Sequence, residues 1–518
     1  MPEMSLQKQY FKIGKATELN DRDRRLYRVL EILPGFLSWG TLLGLLILSY
    51  YHPVFMAFFM IAFDIYWLLL VIYLGIHLLS SYYELQRNKK INWQEQCEQL
   101  PTTCLNWQDI IHLVILPFYS EGIDIIKPTV QAIVDCGYPL DKMILVIAVE
   151  ERGGEVARAN AQAVAAEFGS KFKHFLVTYH PDNIAGEIKG KGSNQAFAGR
   201  LVKQEIIDKF NLDYDKILVS VFDIDTVIYP DYFFCLTHKF LTVANPYRAS
   251  YQPIPIYHNN IWEASFFARI SASSNTFWQM MQQIRQEKLA TYSSHSMTWR
   301  ALVDINFWST TMVSEDSRIF WHCFCYYQGD YRVEPLHYPV SMDVCMGDTW
   351  IETAKNLYKQ QRRWGWGVEN LPYLMFNAIK NWHAIPKGKI INRIFVQAYG
   401  FHSWATNALI IAVIGWMPLI LGGDRFRATV LSTNLPFVTR TLMIIAMVGL
   451  LFSSVISTLL LPPRPKNYNI FKKLFLLLEW ALLPVTIILF GSVPGLEAQT
   501  RLMLGKYLGF FVTPKKRA

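Results

Sequence analysis

The sequence predicts an α/β fold: a doubly wound sheet domain inserted between transmembrane helices. Composition is the first ground. The chain has 518 residues, of which 52% are hydrophobic and 15% aromatic, which is apolar for a soluble enzyme. Its 50 basic and 41 acidic residues are too many for a protein lying wholly within a bilayer. The second ground is distribution, because apolar blocks lie near both ends and most charges lie between them, leaving about 300 residues for a water-facing domain with its own core. The third is a β-α-β-α-β alternation in the middle, followed by a further strand that carries Asp223-Ile-Asp225.

The net charge of +9 does not indicate nucleic acid, since the basic residues flank apolar segments, where they meet anionic lipid and set orientation. The seven cysteines form no CxxC pair. Cys323-Phe-Cys325 beside His322 has the wrong spacing for zinc, so reduced, buried thiols in a cytoplasmic setting are expected. The first thirty residues are polar and basic and do not read as a cleavable signal peptide.

Taken in order, residues 1–30 form a basic amino terminus expected in the cytoplasm. Residues 31–82 hold two transmembrane helices, over 32–50 and 54–80, each long enough to cross a hydrocarbon core of roughly 30 Å. The uncharged tip Tyr50-Tyr-His-Pro53 separates them, and Arg87, Lys89 and Lys90 mark the return to the cytoplasm.

The middle domain, 83–370, opens with a buried strand over 112–116, stopped by Pro117. A helix over 123–136, a strand over 143–149, a helix over 156–168 and a strand over 172–178 follow. The alternation implies parallel pairing with right-handed crossovers. The run 217–226 reads as the next strand. Residues two apart on a strand share a face, so Asp223 and Asp225 are expected to point the same way at its carboxyl end, where open sheets bind ligands. Two oxygen ligands there suit a hard divalent cation that neutralises a diphosphate, although two solvated acids at a strand exit would look the same.

Gly186-Glu-Ile-Lys-Gly-Lys-Gly-Ser-Asn-Gln195 lacks the P-loop register, because Gly192 follows Lys191. Lys191 and Asn194 entering a helix over 195–203 suit the anionic or base edge of a nucleotide, and a surface turn fits equally. Glu315-Asp316 precede an aromatic helix over 319–327 and, alone, serve as a helix cap. Lys359-Gln-Gln-Arg-Arg-Trp-Gly-Trp366 joins guanidinium groups to indoles and, alone, serves as an interfacial anchor.

As an ordered set, Pro117-Phe-Tyr-Ser-Glu121, Lys191 to Asn194, Phe222-Asp-Ile-Asp225, Glu315-Asp316 and Gln360-Gln-Arg-Arg-Trp364 resemble the motifs of membrane-integrated family 2 glycosyltransferases, the superfamily of cellulose, chitin and hyaluronan synthases. The resemblance implies a GT-A-type doubly wound mixed sheet and an inverting transfer from a nucleotide-sugar donor. It implies that Asp223 and Asp225 hold diphosphate and Mg²⁺ or Mn²⁺, and that Asp316 is the general base. Gln360, Arg363 and Trp364, with Glu315, would form the acceptor and diphosphate side. Pro117, Tyr119, Glu121, Glu150, Lys191, Asn194 and Asp223 would line the donor site. The family usually has an aspartate where Glu150-Glu151 stand, which leaves UDP and GDP both open.

Beyond Trp366, residues 371–397 read as interfacial helices, over 371–379 and 390–396. Residues 398–494 hold apolar blocks over 399–421, 437–461 and 474–490. The loop 462–473 is basic (Arg464, Lys466, Lys472, Lys473) and so cytoplasmic. A fifth crossing would put Lys515 and Arg517 outside, so the block 474–490, which carries Glu479 and Pro484, is expected to be re-entrant or interfacial. The tail 495–518 then stays cytoplasmic. Its Phe510-Phe-Val-Thr-Pro-Lys515 resembles the Phe-x-Val-Thr-x-Lys gating loop of cellulose synthases, and reads equally as a basic stub. His295 in Ser-Ser-His-Ser-Met-Thr-Trp299 reads as an acceptor-site group or a packed histidine.

The expected activity is transfer to a growing polysaccharide or glycolipid at the cytoplasmic face of the plasma or inner membrane. Single addition to a lipid-linked acceptor is the alternative. A non-catalytic receptor that kept the fold belongs to a different class.

Overall fold

A computed structural model of the chain describes residues 8–101, 105–463, 475–476, 478–515 and 517. The basic loop 462–473, with Arg464, Lys466, Lys472 and Lys473, lies almost wholly outside the described residues.

Two long helices open the chain, α1 (Asp21–Tyr51) and α2 (Pro53–Asn88). Asn20 caps α1 by accepting the Asp23 N–H at 3.3 Å, and Pro53 starts α2 at a position where its missing N–H costs nothing. Both helices run beyond the apolar stretches expected at 32–50 and 54–80 and carry on to the middle domain. The segment before α1 packs onto that domain: Phe11 and Ile13 are buried, and the buried Arg318 guanidinium donates to the Ile13 carbonyl at 2.7 Å.

The strands are β1 (Ile111–Phe118), β2 (Met143–Glu150), β3 (His174–His180), β4 (Ile217–Val221), β5 (Val227–Ile228), β6 (Ala249–Ile256), β7 (Ser296–Thr298) and β8 (Arg332–Ser341). They form one mixed sheet in the order β3-β2-β1-β4-β7-β6-β8-β5. The four strands β1 to β4 are parallel, in register at Leu116↔Ile147 and Ile115↔Val221. Strand β7 runs antiparallel to β4 and β6, and β8 runs parallel to β6. Helices cover both faces, so β1 and β2 are buried throughout and read as continuous apolar runs. Alternate residues serve opposite cores: Leu113 and Ile115 of β1 join one, Val114 and Leu116 the other. Each such side chain contributes about 1.5–3 kcal/mol on leaving water.

The helices that matter for the site are α3 (Lys191–Val202), α4 (Phe266–Ile284), α5 (Glu315–Tyr326), α6 (Trp350–Gly365) and α7 (Asn370–Lys380). Helix α3 starts four residues before the expected 195, and α5 four before the expected 319. The stretch expected as an interfacial helix at 371–379 is instead buried in α7, which packs against α1 and α5. Its Tyr373 and Phe376 face the protein interior, which is why it is apolar.

Toward the carboxyl end come α8 (Lys387–Ala412), α9 (Val430–Leu460) and α10 (Val493–Met503). Among the described residues, four stretches are long and apolar enough to cross a membrane: Asp21–Tyr51, Pro53–Asn88, Val430–Leu460 and Glu479–Met503. The block expected as one crossing at 399–421 departs from that picture. It shares helix α8 with the stretch 390–396 and is bent by 41° between Lys387–Ala412 and Ile414–Leu421, where Gly415 and Pro418 weaken the helix. The Glu479–Met503 stretch is tied to the sheet domain at both ends. Glu479 accepts from Arg269 Nε of α4 at 3.1 Å, and Glu497 accepts from Arg362 of α6 at 2.7 Å.

Candidate active site

The site forms where the sheet stops. The β4 ladder ends at Val221, and the Thr226 N–H closes a turn onto the Asp223 carbonyl at 2.8 Å. Asp223 and Asp225 therefore sit on a turn and not on the strand expected over 217–226, and their carboxylates take separate partners. Asp223 Oδ1 pairs with Lys191 Nζ at 2.7 Å, and its Oδ2 accepts from Ser293 at 2.5 Å. Asp225, 1% exposed, accepts the Asp343 backbone N–H on Oδ2 at 3.0 Å and the Lys515 ammonium on Oδ1.

Lys191 is the first residue of α3, set there by Gly190 at φ 151°, where a side chain would also collide with the Phe510 ring. Its ammonium lies 2.9 Å from both carboxylate oxygens of Asp316 while holding Asp223. Burial alone would lower its pKa, but Asp223 and Asp316 outweigh that and keep it protonated well above the usual lysine range. Burial would likewise raise the Asp223 pKa, and the Lys191 and Lys515 ammonium groups reverse it, holding that carboxyl below its ordinary range.

Asp316 and Glu315 occupy the first turn of α5, where the helix dipole favours negative charge. The two acids are not equivalent. Burial, reinforced by the neighbouring Asp316, pushes Glu315 up to about 8, and its Oε2 has no partner. Glu315 is thus shifted toward its neutral form, and Asp316 is the acid that pairs with Lys191. The turn before them is clamped from the 3-10 turn Trp366–Glu369 that follows α6. Glu369 Oε1 accepts Ser314 Oγ at 2.6 Å and its N–H at 3.0 Å, while Oε2 takes the Trp366 indole N–H at 2.9 Å.

Helix α6 divides the Gln360–Trp366 run between two faces. Gln360 and Trp364, one turn apart, line a small cavity with Tyr257, Leu357 and Cys345. Arg363 faces the tail, its guanidinium 5.0 Å from the Phe510 ring centroid. Arg362 turns away to Glu497.

At the ends of β1 and β2, Pro117 lies opposite Ala148 and the Arg152 guanidinium covers the Tyr119 ring at 4.4 Å. Two acids in this wall are engaged locally. Glu121 Oε2 accepts the N–H groups of Tyr119 and Ser120 at 2.9 and 3.0 Å, and Glu150 accepts Arg152 Nε at 2.5 Å. Asn194 is fully buried and donates to the Ala148 carbonyl at 2.6 Å, so its amide joins α3 to β2. His295 is buried, with Nδ1 on the Tyr292 carbonyl at 2.9 Å and Nε2 unpartnered. Burial lowers its pKa against the opposing field of Asp316.

Sequence reasoning missed Ser293, Tyr257, Glu369 and Asp343. Asp343 lies two residues past the end of β8, and an acid just past a strand was the available signal. It is 6% exposed; burial first, and then Asp225, push it up to about 6. Its Oδ1 accepts from Asn259 at 2.8 Å and Arg517 Nη2 at 2.9 Å, and its Oδ2 has no partner.

Among the described residues no three His, Cys, Asp or Glu side chains converge to hold a metal by themselves. Asp225 and Asp343 nonetheless present a paired, all-oxygen donor set with one buried carboxylate oxygen unpartnered. That set suits a hard cation completed by phosphate oxygens.

A family model for glycosyl transferase family group 2 matches residues 218–489. No curated protein matches the chain. Among solved structures, the mannosyltransferase PcManGT from Pyrobaculum calidifontis in complex with GDP-Man and Mn²⁺ is similar at 15% identity and a TM-score of 0.41, over 77% of this chain and 99% of that one. S. aureus TarS 1–349 in complex with UDP-GlcNAc is similar at 11% identity and a TM-score of 0.36, over 68% of this chain and 91% of that one. Because the matched region takes in more than half of the chain, from β4 of the sheet domain into the carboxyl-terminal apolar helices, the chain belongs to glycosyl transferase family group 2.

Proposed function

We propose that this glycosyltransferase is an inverting, metal-dependent enzyme of the membrane-integrated kind. It would move a sugar from a nucleotide-sugar donor to a growing polysaccharide or glycolipid at the cytoplasmic face of the plasma or inner membrane. The observation that carries the reading is the bridge of Lys191 between Asp223 and Asp316, which unites the donor-side acid and the acid of α5 in one cleft.

In this reading the acceptor hydroxyl attacks the anomeric carbon from the face opposite the leaving diphosphate, and Asp316 takes its proton. Lys191 and Arg363 neutralise the diphosphate, and Asp223 and Asp225 orient it. A bound Mg²⁺ or Mn²⁺, held on the Asp225 side, would offset the charge developing on the leaving group. Burial raises the Glu315 pKa, which disfavours Glu315 as the ionised base, and the Lys191 ammonium that pairs with Asp316 would turn to the diphosphate when donor binds. Pro117, Tyr119, Glu121 and Glu150 line the donor mouth, and Gln360 and Trp364 the acceptor side. Asn194 supports the donor site from behind, through β2.

The positive-inside pattern supports a cytoplasmic position for the catalytic domain in this reading. The two ties of Glu479–Met503 to the sheet domain favour a re-entrant or interfacial course for that stretch. Single addition to a lipid-linked carrier is the second reading, favoured by the bent helix at 399–421, which leaves few straight crossings to wall a polymer channel. Retention of Asp223, Asp225, Asp316 and Arg363 together weighs against a non-catalytic receptor.

The test is release of nucleoside diphosphate by detergent-purified protein across a panel of nucleotide sugars, with Mn²⁺, with EDTA and with Asp316→Asn. Release from one donor, lost with EDTA and with Asp316→Asn, is expected. Release that ignores both would overturn the mechanism.

A further inference from the structure

The carboxyl-terminal tail lies across the site and places two cations on two buried acids. Lys515 pairs with Asp225 Oδ1, and Arg517 donates to Asp343 Oδ1 through Nε at 3.0 Å and Nη2 at 2.9 Å. Arg517 Nη2 also reaches the Asp225 carbonyl at 3.0 Å. The tail is seated by Phe510 against Gly190 and Arg363, and by Lys359 over the Phe511 ring at 5.1 Å.

Exposure is asymmetric across these pairs. The side chains of Asp225 and Asp343 are 2% and 1% exposed, whereas those of Lys515 and Arg517 are 16% and 14% exposed. The acids belong to the core of the site and the cations approach from outside. The Asp343 N–H donates to Asp225 Oδ2 at 3.0 Å, so the two acids adjoin, and each takes a cation from the tail. Asp343 Oδ2 has no hydrogen-bond partner among the described residues, Lys515 and Arg517 of the tail included, so the pair has coordinating capacity that these two cations do not use.

We propose that Asp225 and Asp343 together form the divalent-cation site of this enzyme, and that Lys515 and Arg517 occupy it as a built-in competitor that the incoming cation displaces. Asp343 is then a cation ligand supplied from the end of β8, and the tail is an inhibitory strap whose release is coupled to metal loading. This inference rests on the glycosyltransferase reading for the purpose of the cation, but cation binding itself can be measured without donor or turnover.

The experiment is titration of the full-length protein in detergent with Mn²⁺ alone, free Mn²⁺ being read by electron paramagnetic resonance. The doubly substituted Lys515→Ala/Arg517→Ala protein is expected to bind Mn²⁺ on the order of tenfold more tightly than the parent, a usual size for coupling between competing ligands. Adding Asp343→Asn to that protein is expected to reverse the gain. Equal affinity in parent and double variant, or indifference to Asp343→Asn, would overturn the proposal. A second measurement needs no variant: Mn²⁺ should speed tryptic release of the peptide beyond Lys515 from the parent protein, read by mass spectrometry, and an unchanged rate would overturn displacement. Mn²⁺ binding that follows this pattern in a protein lacking transferase activity would sink the proposed function and leave the cation site standing.

Discussion

Lys191 Nζ lies 2.9 Å from each carboxylate oxygen of Asp316, a residue 125 positions further along the chain. The same ammonium holds Asp223, so one cation bonds two acids from different elements. Removing it leaves two carboxylates facing each other in a partly buried cleft, the costly half of breaking an ion pair.

Lys191→Met is therefore expected to lower stability by about 3–5 kcal/mol and turnover by about a hundredfold or more. Adding Asp316→Asn should recover part of the stability and none of the turnover. Thermal unfolding followed beside diphosphate release separates the two effects; full recovery of activity in the double variant would contradict the assignment.

Glu315 gives the site a pH signature. Its pKa stands at about 8 in the fold against an ordinary 4.5. Below 4.5 both folded and unfolded chains hold the proton. Between these values the unfolded chain releases it and the folded chain keeps it, so stability falls as pH rises, by about 1.4 kcal/mol per unit. Glu315→Gln should unfold at a higher temperature than the parent at about pH 8, with the difference shrinking toward about pH 5. A difference that does not vary with pH would remove this role.

The adjacent arginines of α6 should separate cleanly. Arg362 pairs with Glu497, and both are partly exposed, so Arg362→Ala is expected to cost about 1 kcal/mol of stability, with modest loss of turnover. Arg362→Lys should restore most of it, because Glu497 keeps its Arg501 and Tyr358 partners. Arg363→Ala, by contrast, should depress turnover at an unchanged unfolding temperature, and Arg363→Lys should not rescue it, because a point charge does not reproduce the planar fork. Similar thermal effects at both positions would refute the division.

Asn194→Ala tests whether its amide serves the fold or the donor. Loss of the buried bond to the Ala148 carbonyl should cost about 1–3 kcal/mol. Donor affinity, read by calorimetry in the folded protein, should change by less than about threefold. A large loss of affinity at unchanged stability would return Asn194 to the nucleotide.

Much of this was legible in the chain. Strands β1, β2 and β4 announced themselves as apolar runs because they are buried on both faces, and Asp316 and Lys191 stood at helix starts flanked by turn residues. The direction of the two acids at 223 and 225 was not legible. Period-two alternation holds only while the ladder lasts, and nothing in the residues 217–226 marks Val221 as its last rung. The buried helix α7 was misassigned to the membrane surface because an apolar face looks the same whether protein or lipid covers it. Asp343 went unnoticed because β8 is interrupted by Pro335 and Pro339 and does not read as a regular strand.

By itself the sequence determined the α/β sheet domain, the apolar helices at both ends and the residue types of the site, because burial periodicity and charge placement are local properties. Only the tertiary structure decided which charges meet. Lys191 reaches Asp316, Arg517 reaches Asp343 and Glu369 clamps Ser314 because packing brings distant elements together. It also decided that the Glu315 pKa is raised, since burial and neighbouring charge set a pKa and neither is written in residue order.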